Sequence, residues 1–191
     1  MEIGYAVSGL IVGFIVGLTG VGGGSLMTPI LVLGFGINPA TAVGTDLLYA
    51  SITKSAGVWV HARRGNVDWK VVGWLAAGSL PASLLCIFLL RVLGIDTYRV
   101  SGIITASLGV ALILTAGALV FKERLQRLAL RKAAEGESWR QRHVEAVTVV
   151  TGAVLGVLVT LSSVGAGALG VTALLFLFPL LPAARIVGSD I

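Results

Sequence analysis

Gly20-Val21-Gly22-Gly23-Gly24-Ser25-Leu26-Met27-Thr28-Pro29 decides how the rest of this chain is read. Four of the first five residues are glycine, set inside an apolar N-terminal stretch. Glycine weakens a helix and leaves its backbone uncovered. In lipid such a break survives only where the freed N–H and C=O groups meet protein, a ligand or water. A related break comes much later, at Ser162-Ser163-Val164-Gly165-Ala166-Gly167-Ala168-Leu169-Gly170. Paired interruptions at corresponding places in two halves of a chain are the sequence mark of a solute site at mid-membrane.

Composition sets the solvent. Of 191 residues, 56% are hydrophobic and 12% charged, with a mean hydropathy of +0.97. A soluble domain carries roughly 25% charged residues, so the chain belongs in a bilayer. The pI near 9.9 does not imply a nucleic-acid partner, because the basic residues sit in short loops between apolar runs, as the positive-inside rule places them. Cys86 is the single cysteine, and His61 and His143 lie far apart with no Cys/His spacing; neither an internal disulfide nor a metal site is expected, and no cofactor. The N-terminus lacks the basic n-region and cleavage site of a signal peptide, so it reads as a retained membrane segment.

Apolar runs place the segments. The first covers residues 4–19 and meets the glycine break. Residues 26–37 form a shorter piece of about a dozen residues, too short for a core roughly 30 Å thick, hence re-entrant or half of a discontinuous helix. Asn38-Pro39 opens a helix to about residue 60, with Pro39 where its missing N–H costs little. It carries Thr45, Asp46, Ser51, Thr53, Lys54 and Ser55. A third span is expected over 69–90 and a fourth over 100–121. Residues 122–142 hold seven Lys/Arg against three Glu and read as a cytoplasmic basic connector, in which Leu125, Leu128 and Leu130 also allow an amphipathic surface helix. Arg63 and Arg64 lie two spans earlier and agree with that orientation. The 91–99 loop then faces outside. Trp59, Trp69 and Trp74 suit the interfacial belt.

From residue 144 the chain repeats itself. Gly13-Phe14-Ile15-Val16-Gly17 is echoed by Gly152-Ala153-Val154-Leu155-Gly156, each a GxxxG that lets helices approach closely. Val21-Gly22-Gly23-Gly24 is echoed by Val164-Gly165-Ala166-Gly167 and Pro39-Ala40 by Pro182-Ala183, both 143 residues on. Gly44-Thr45-Asp46 is echoed by Gly188-Ser189-Asp190, 144 residues on. One order and nearly one spacing argue for a duplicated unit. The expected organisation is a first membrane repeat over 1–121, the connector 122–142, and the start of a second repeat over 143–191. Ile191 corresponds to Leu47, so the second copy is expected to be truncated.

The run from Gly17 to Leu31, then 38–57, then His61-Ala62-Arg63-Arg64-Gly65-Asn66-Val67-Asp68-Trp69, resembles the TauE/SafE family of sulfite exporter-like membrane proteins. Ser162 to Gly170 with Pro182 to Ile191 resembles that family's C-terminal copy, with Gly-Ala-Gly where the first copy has Gly-Gly-Gly. The resemblance implies a multi-pass permease of two related halves that moves sulfite, sulfoacetate or organosulfonates.

The residues assign candidate roles beside plainer ones. Gly22, Gly23, Gly24 and Ser25, with Gly165 and Gly167, offer an N–H cradle for an oxyanion, or close helix packing. Thr45, Ser163 and Ser189 suit oxyanion hydrogen bonds, or bonds to their own helix backbone. Asp46 and Asp190 either carry a coupling proton or cap a half-helix. Lys54 lies two turns beyond Asp46 and either attracts the anion, pairs with Asp46 or snorkels to the interface. Arg185 binds anion or headgroup. Gly165 to Gly170 also satisfies G-x-G-x-x-G, but its apolar flanks do not form the soluble βαβ unit a dinucleotide site requires. No Walker sequence and no nucleophile elbow is present.

The fold class expected is therefore all-α, multi-pass and transmembrane, with discontinuous Gly-rich segments. The function expected is a non-enzymatic secondary permease in the cell membrane, working by alternating access coupled to an ion or proton gradient. Its partners are a small sulfur anion, the lipid bilayer and, as a candidate, a second copy of itself, with no nucleic acid. A passive anion channel and a non-transporting membrane subunit or enzyme are the alternatives.

Overall fold

The computed structural model describes residues 2–19, 22–92, 97–134, 138–165 and 167–190. Gly20, Ala166, the centre of the 91–99 loop, residues 135–137 and the terminal Ile191 lie outside them. The described residues form helices and contain no strand. In order these are α1 (Glu2–Thr19), α2 (Gly24–Pro29) continuing into a π turn (Ile30–Gly34), α3 (Pro39–Arg63), α4 (Trp69–Val92), α5 (Thr97–Ala134), α6 (Ser138–Ser162), α7 (Ala168–Leu177) and α8 (Ala183–Asp190).

Local chemistry accounts for the boundaries. Asn38 caps α3, its Oδ1 accepting the Ala40 N–H at 3.0 Å, with Pro39 in the first turn. Asp68 caps α4, its Oδ1 accepting from the Lys70 N–H at 3.1 Å. Pro29 supplies no N–H to the helical ladder, and directly after it the backbone loosens into the π turn, closed by Phe35 N–H to Ile30 O at 3.2 Å.

Two extents differ from the sequence expectation. The fourth span and most of the connector form one helix, because nothing from 122 to 134 is a helix breaker. The GxxxG glycines also divide: Gly152 and Gly156 of α6 lie against the backbone of α4 at Leu75 and Ser79, while Gly13 and Gly17 of α1 face open space.

Three helices, at Trp69–Val92, Val100–Arg131 and His143–Ser162, are long and apolar enough to cross a membrane; the apolar stretches Ala6–Leu18, Gly24–Gly34 and Ala168–Leu177 are shorter. The outer surface is apolar throughout, with Leu10, Ile113, Val120 and Leu180 all exposed. Water would make such a surface costly, whereas hydrocarbon accommodates it.

The interior is built around the second glycine break. Val71 of α4, Leu174 and Leu175 of α7 and Ile186 of α8 form one buried cluster. Leu108 and Ala111 of α5 close on Val164 in another. These clusters seat α7 between α4 and α5. The elements also recur at a constant spacing: α1 ends at Thr19 and α6 at Ser162, the π turn ends at Gly34 and α7 at Leu177, α3 begins at Pro39 and α8 at Ala183.

Candidate functional site

The two glycine breaks meet. A methyl on Gly22 would sit 3.4 Å from the Gly167 Cα, so the chain turns touch backbone to backbone. Gly22 has φ +95° and Gly165, 143 residues later, has φ +116°. Only glycine holds such angles without strain. Ser163 also takes a left-handed φ, +57°.

Asp46 lies at this junction and is 2% exposed. Its Oδ2 accepts the Thr28 hydroxyl at 3.1 Å and the Ser163 hydroxyl at 2.5 Å. Thr28 belongs to α2 and Ser163 to the other break, so one carboxyl group ties the two together. Gly24 makes room: a methyl there would overlap the Ser163 carbonyl and lie 2.9 Å from Asp46 Oδ2. The place beside α2 where the sequence suggested an external oxyanion is thus taken by the protein's own carboxyl group. A helix start favours a negative group whichever molecule supplies it.

The second copy repeats this with different partners. A methyl on Gly170, in the first turn of α7, would overlap the Asp190 carboxylate. Lys54 of α3 donates to the Asp190 main-chain carbonyl at 3.3 Å, and its charge attracts the Asp190 carboxylate. Lys54 therefore pairs with Asp190 and not with Asp46, from which eight residues of helix separate it by about 12 Å. Ser189 is engaged too, donating to Arg185 O at 2.7 Å and accepting the Asp68 N–H at 2.9 Å. That bond and the contact of Gly188 with the Asn66 carbonyl hold the α3–α4 loop against α8.

Each aspartate opens on a cavity. One of about 480 Å³ is lined by Gly9, Gly23, Met27, Thr45, Asp46 and Tyr49, among others. Another of about 280 Å³, between α4 and α6, reaches Gly152, Ser189 and Asp190. Gly9, Thr45 and Asp46 stand 143 or 144 residues before Gly152, Ser189 and Asp190, so corresponding residues line both.

Of the sequence candidates, Gly22, Gly24, Asp46, Ser163 and Gly167 converge at the junction, with Gly23 beside them. Thr45 faces the larger cavity. Ser25 turns back onto the Gly22 carbonyl at 2.8 Å, and the Arg185 residue is exposed. Lys54, Ser189 and Asp190 form the second cluster. Sequence reasoning missed Tyr49 as a cavity residue and Gly170 as the seat of Asp190. The third glycine of G-x-G-x-x-G was the available signal. No group of three or more His, Cys, Asp or Glu suited to a metal occurs among the described residues.

Comparison with known proteins agrees with this architecture. The sequence model of the family described as "Sulfite exporter TauE/SafE" matches residues 5–191. The chain belongs to the TauE/SafE family. Within the curated proteins it is 40% identical, over its whole length, to a Bacillus subtilis protein named "Probable membrane transporter protein YjnA", of which it covers 74%. It is 31% identical over 96% of its length to a "Probable membrane transporter protein" of Xylella fastidiosa strain Temecula1, covering 66% of that protein. The chain thus spans about two thirds to three quarters of these TauE/SafE relatives. No solved structure matches it.

Proposed function

We propose that the protein is a secondary permease for small sulfur-containing anions, such as sulfite, sulfoacetate or an organosulfonate, coupled to an ion or proton gradient. The observation that carries this reading is the contact between the two glycine breaks, Gly22 against Gly167, with a buried carboxyl group and an open cavity beside it. Irregular backbone at that depth is tolerated where it lines a solute path. Family membership supports the substrate class.

In this reading Gly22, Gly23, Gly165 and Gly167 supply backbone donors and Thr45 a hydroxyl to the anion. Gly24 and Ser163 shape the junction through Asp46, while Lys54, Ser189 and Asp190 join the halves at the second cluster. The halves are two copies of one unit and rock about the junction. The protein sits in the cell membrane with residues 122–142 in the cytoplasm.

Substrate counterflow in proteoliposomes tests this, comparing labelled sulfite and sulfoacetate with chloride and a cation. Trans-stimulated flux of a sulfur anion is expected. Flux without trans-stimulation indicates a channel, and no flux of any sulfur anion by folded protein refutes the substrate class.

A further inference from the structure

The two corresponding aspartates are not chemically equivalent. Asp190 is answered by a cation, Lys54. Asp46 is answered only by the neutral hydroxyls of Thr28 and Ser163, and no ion pair to it occurs among the described residues. A carboxylate buried without a countercharge is strongly disfavoured, and proteins relieve it by neutralising the group.

The surroundings supply no base. Residues 22–34, 162–165 and 167–177, which make up α2, the π turn, the second break and α7, contain no ionisable residue, and neither does α5 between residues 100 and 121. On α3 the nearest titratable groups are Tyr49, on the wall of the same cavity, and Lys54. Asp190, from α8, is engaged with that lysine.

The three oxygens Thr28 Oγ1, Asp46 Oδ2 and Ser163 Oγ are at hydrogen-bond distance, and the Ser163 carbonyl closes on Gly24 behind them. A metal cation would have to part them; a proton fits as they stand. Asp46 Oδ1 lies beside Gly23, and both residues share the wall of the 480 Å³ cavity with Thr45. An ionised Asp46 would repel an anion there, whereas a carboxylic acid offers it a hydrogen bond.

We infer that Asp46 is the proton carrier of this protein, protonated when the anion occupies the adjoining cavity, so that one proton and one anion are held together. The assignment rests on the permease reading for its anion and on the Asp46 cluster for its proton. Asp190 has the separate task of joining α8 to α3 through Lys54.

Two measurements on the full chain in nanodiscs test it. The first is binding of labelled sulfoacetate against pH, a probe whose sulfonate stays ionised throughout. The parent protein is expected to lose affinity about tenfold per pH unit on the alkaline side, the slope for uptake of one proton. Asp46→Asn is expected to bind with little pH dependence, and Asp190→Asn, where it binds, to keep the parent slope. The second is the infrared stretch of a protonated carboxyl group, expected in the parent, absent from Asp46→Asn and present in Asp190→Asn. If Asp46→Asn does not fold, Asp46→Glu serves, with the midpoint of the pH profile displaced.

A parental slope retained in Asp46→Asn, a carboxyl band lost only in Asp190→Asn, or sodium dependence in place of proton dependence overturns the assignment. If no sulfoacetate binds at any pH, the substrate reading fails, and the infrared titration decides the proton assignment alone.

Discussion

Two neighbouring glycines, Gly23 and Gly24, give the sharpest test of how the junction is built. A methyl on Gly23 would lie 3.9 Å from Asp46 Oδ1, an ordinary contact, and its φ of −59° is helical. Gly23→Ala should therefore be neutral, or gain up to about 1 kcal/mol from reduced chain entropy. A methyl on Gly24 would overlap the Ser163 carbonyl, with the Ser163 carbonyl carbon at 2.6 Å and Asp46 Oδ2 at 2.9 Å. Both neighbours are held, one in main chain and the other by two hydrogen bonds, so the clash cannot be relieved by a rotamer. Overpacking costs about 1–3 kcal/mol. Parting the breaks also weakens the Ser163–Asp46 bond, worth about 1–3 kcal/mol for a carboxyl acceptor. With the helix-propensity gain of about 1 kcal/mol subtracted, Gly24→Ala should lose about 2–4 kcal/mol. Thermal or denaturant unfolding in detergent, with counterflow beside it, reads both variants. Gly24→Ala as stable and active as Gly23→Ala would refute the close approach of the two breaks.

Lys54→Ala removes the cation that answers Asp190, and loss of one partner from a buried pair costs about 3–5 kcal/mol; the lower end is expected because Lys54 is only part-buried. Adding Asp190→Asn should recover part of the loss in a double-mutant cycle, and an additive pair would show that the two do not interact. On α4, Gly78→Ala would drive a methyl into the Val149 carbonyl of α6, whereas Gly73→Ala meets open space. Unfolding midpoints should fall for the first by the equivalent of about 1–3 kcal/mol and hold for the second, and equal midpoints would contradict the α4–α6 packing.

The comparison of sequence with structure is most informative at the glycines. The sequence distinguishes a break from a continuous helix, because missing side chains are visible in it. It does not distinguish a glycine that hosts a ligand from one that hosts the protein's own carboxyl group. Gly24 and Gly170 prove to be of the second kind, and each seats an aspartate about twenty residues away in the chain. Lys54 shows the same limit in a charged residue: helical periodicity puts it on the face of Asp46, yet its partner lies 136 residues away, brought near by the packing of α8 on α3.

By itself the sequence determined the solvent, the helical class, the caps at Asn38 and Pro39, the two interruptions and their constant spacing. All of these follow from composition and short-range stereochemistry, which act within a few residues. Tertiary structure alone decided that the breaks touch, that α7 is seated between α4 and α5, and which polar group each aspartate meets. Those contacts join residues more than a hundred positions apart, and they exist because buried carboxyl groups and uncovered backbone must find partners wherever packing brings them.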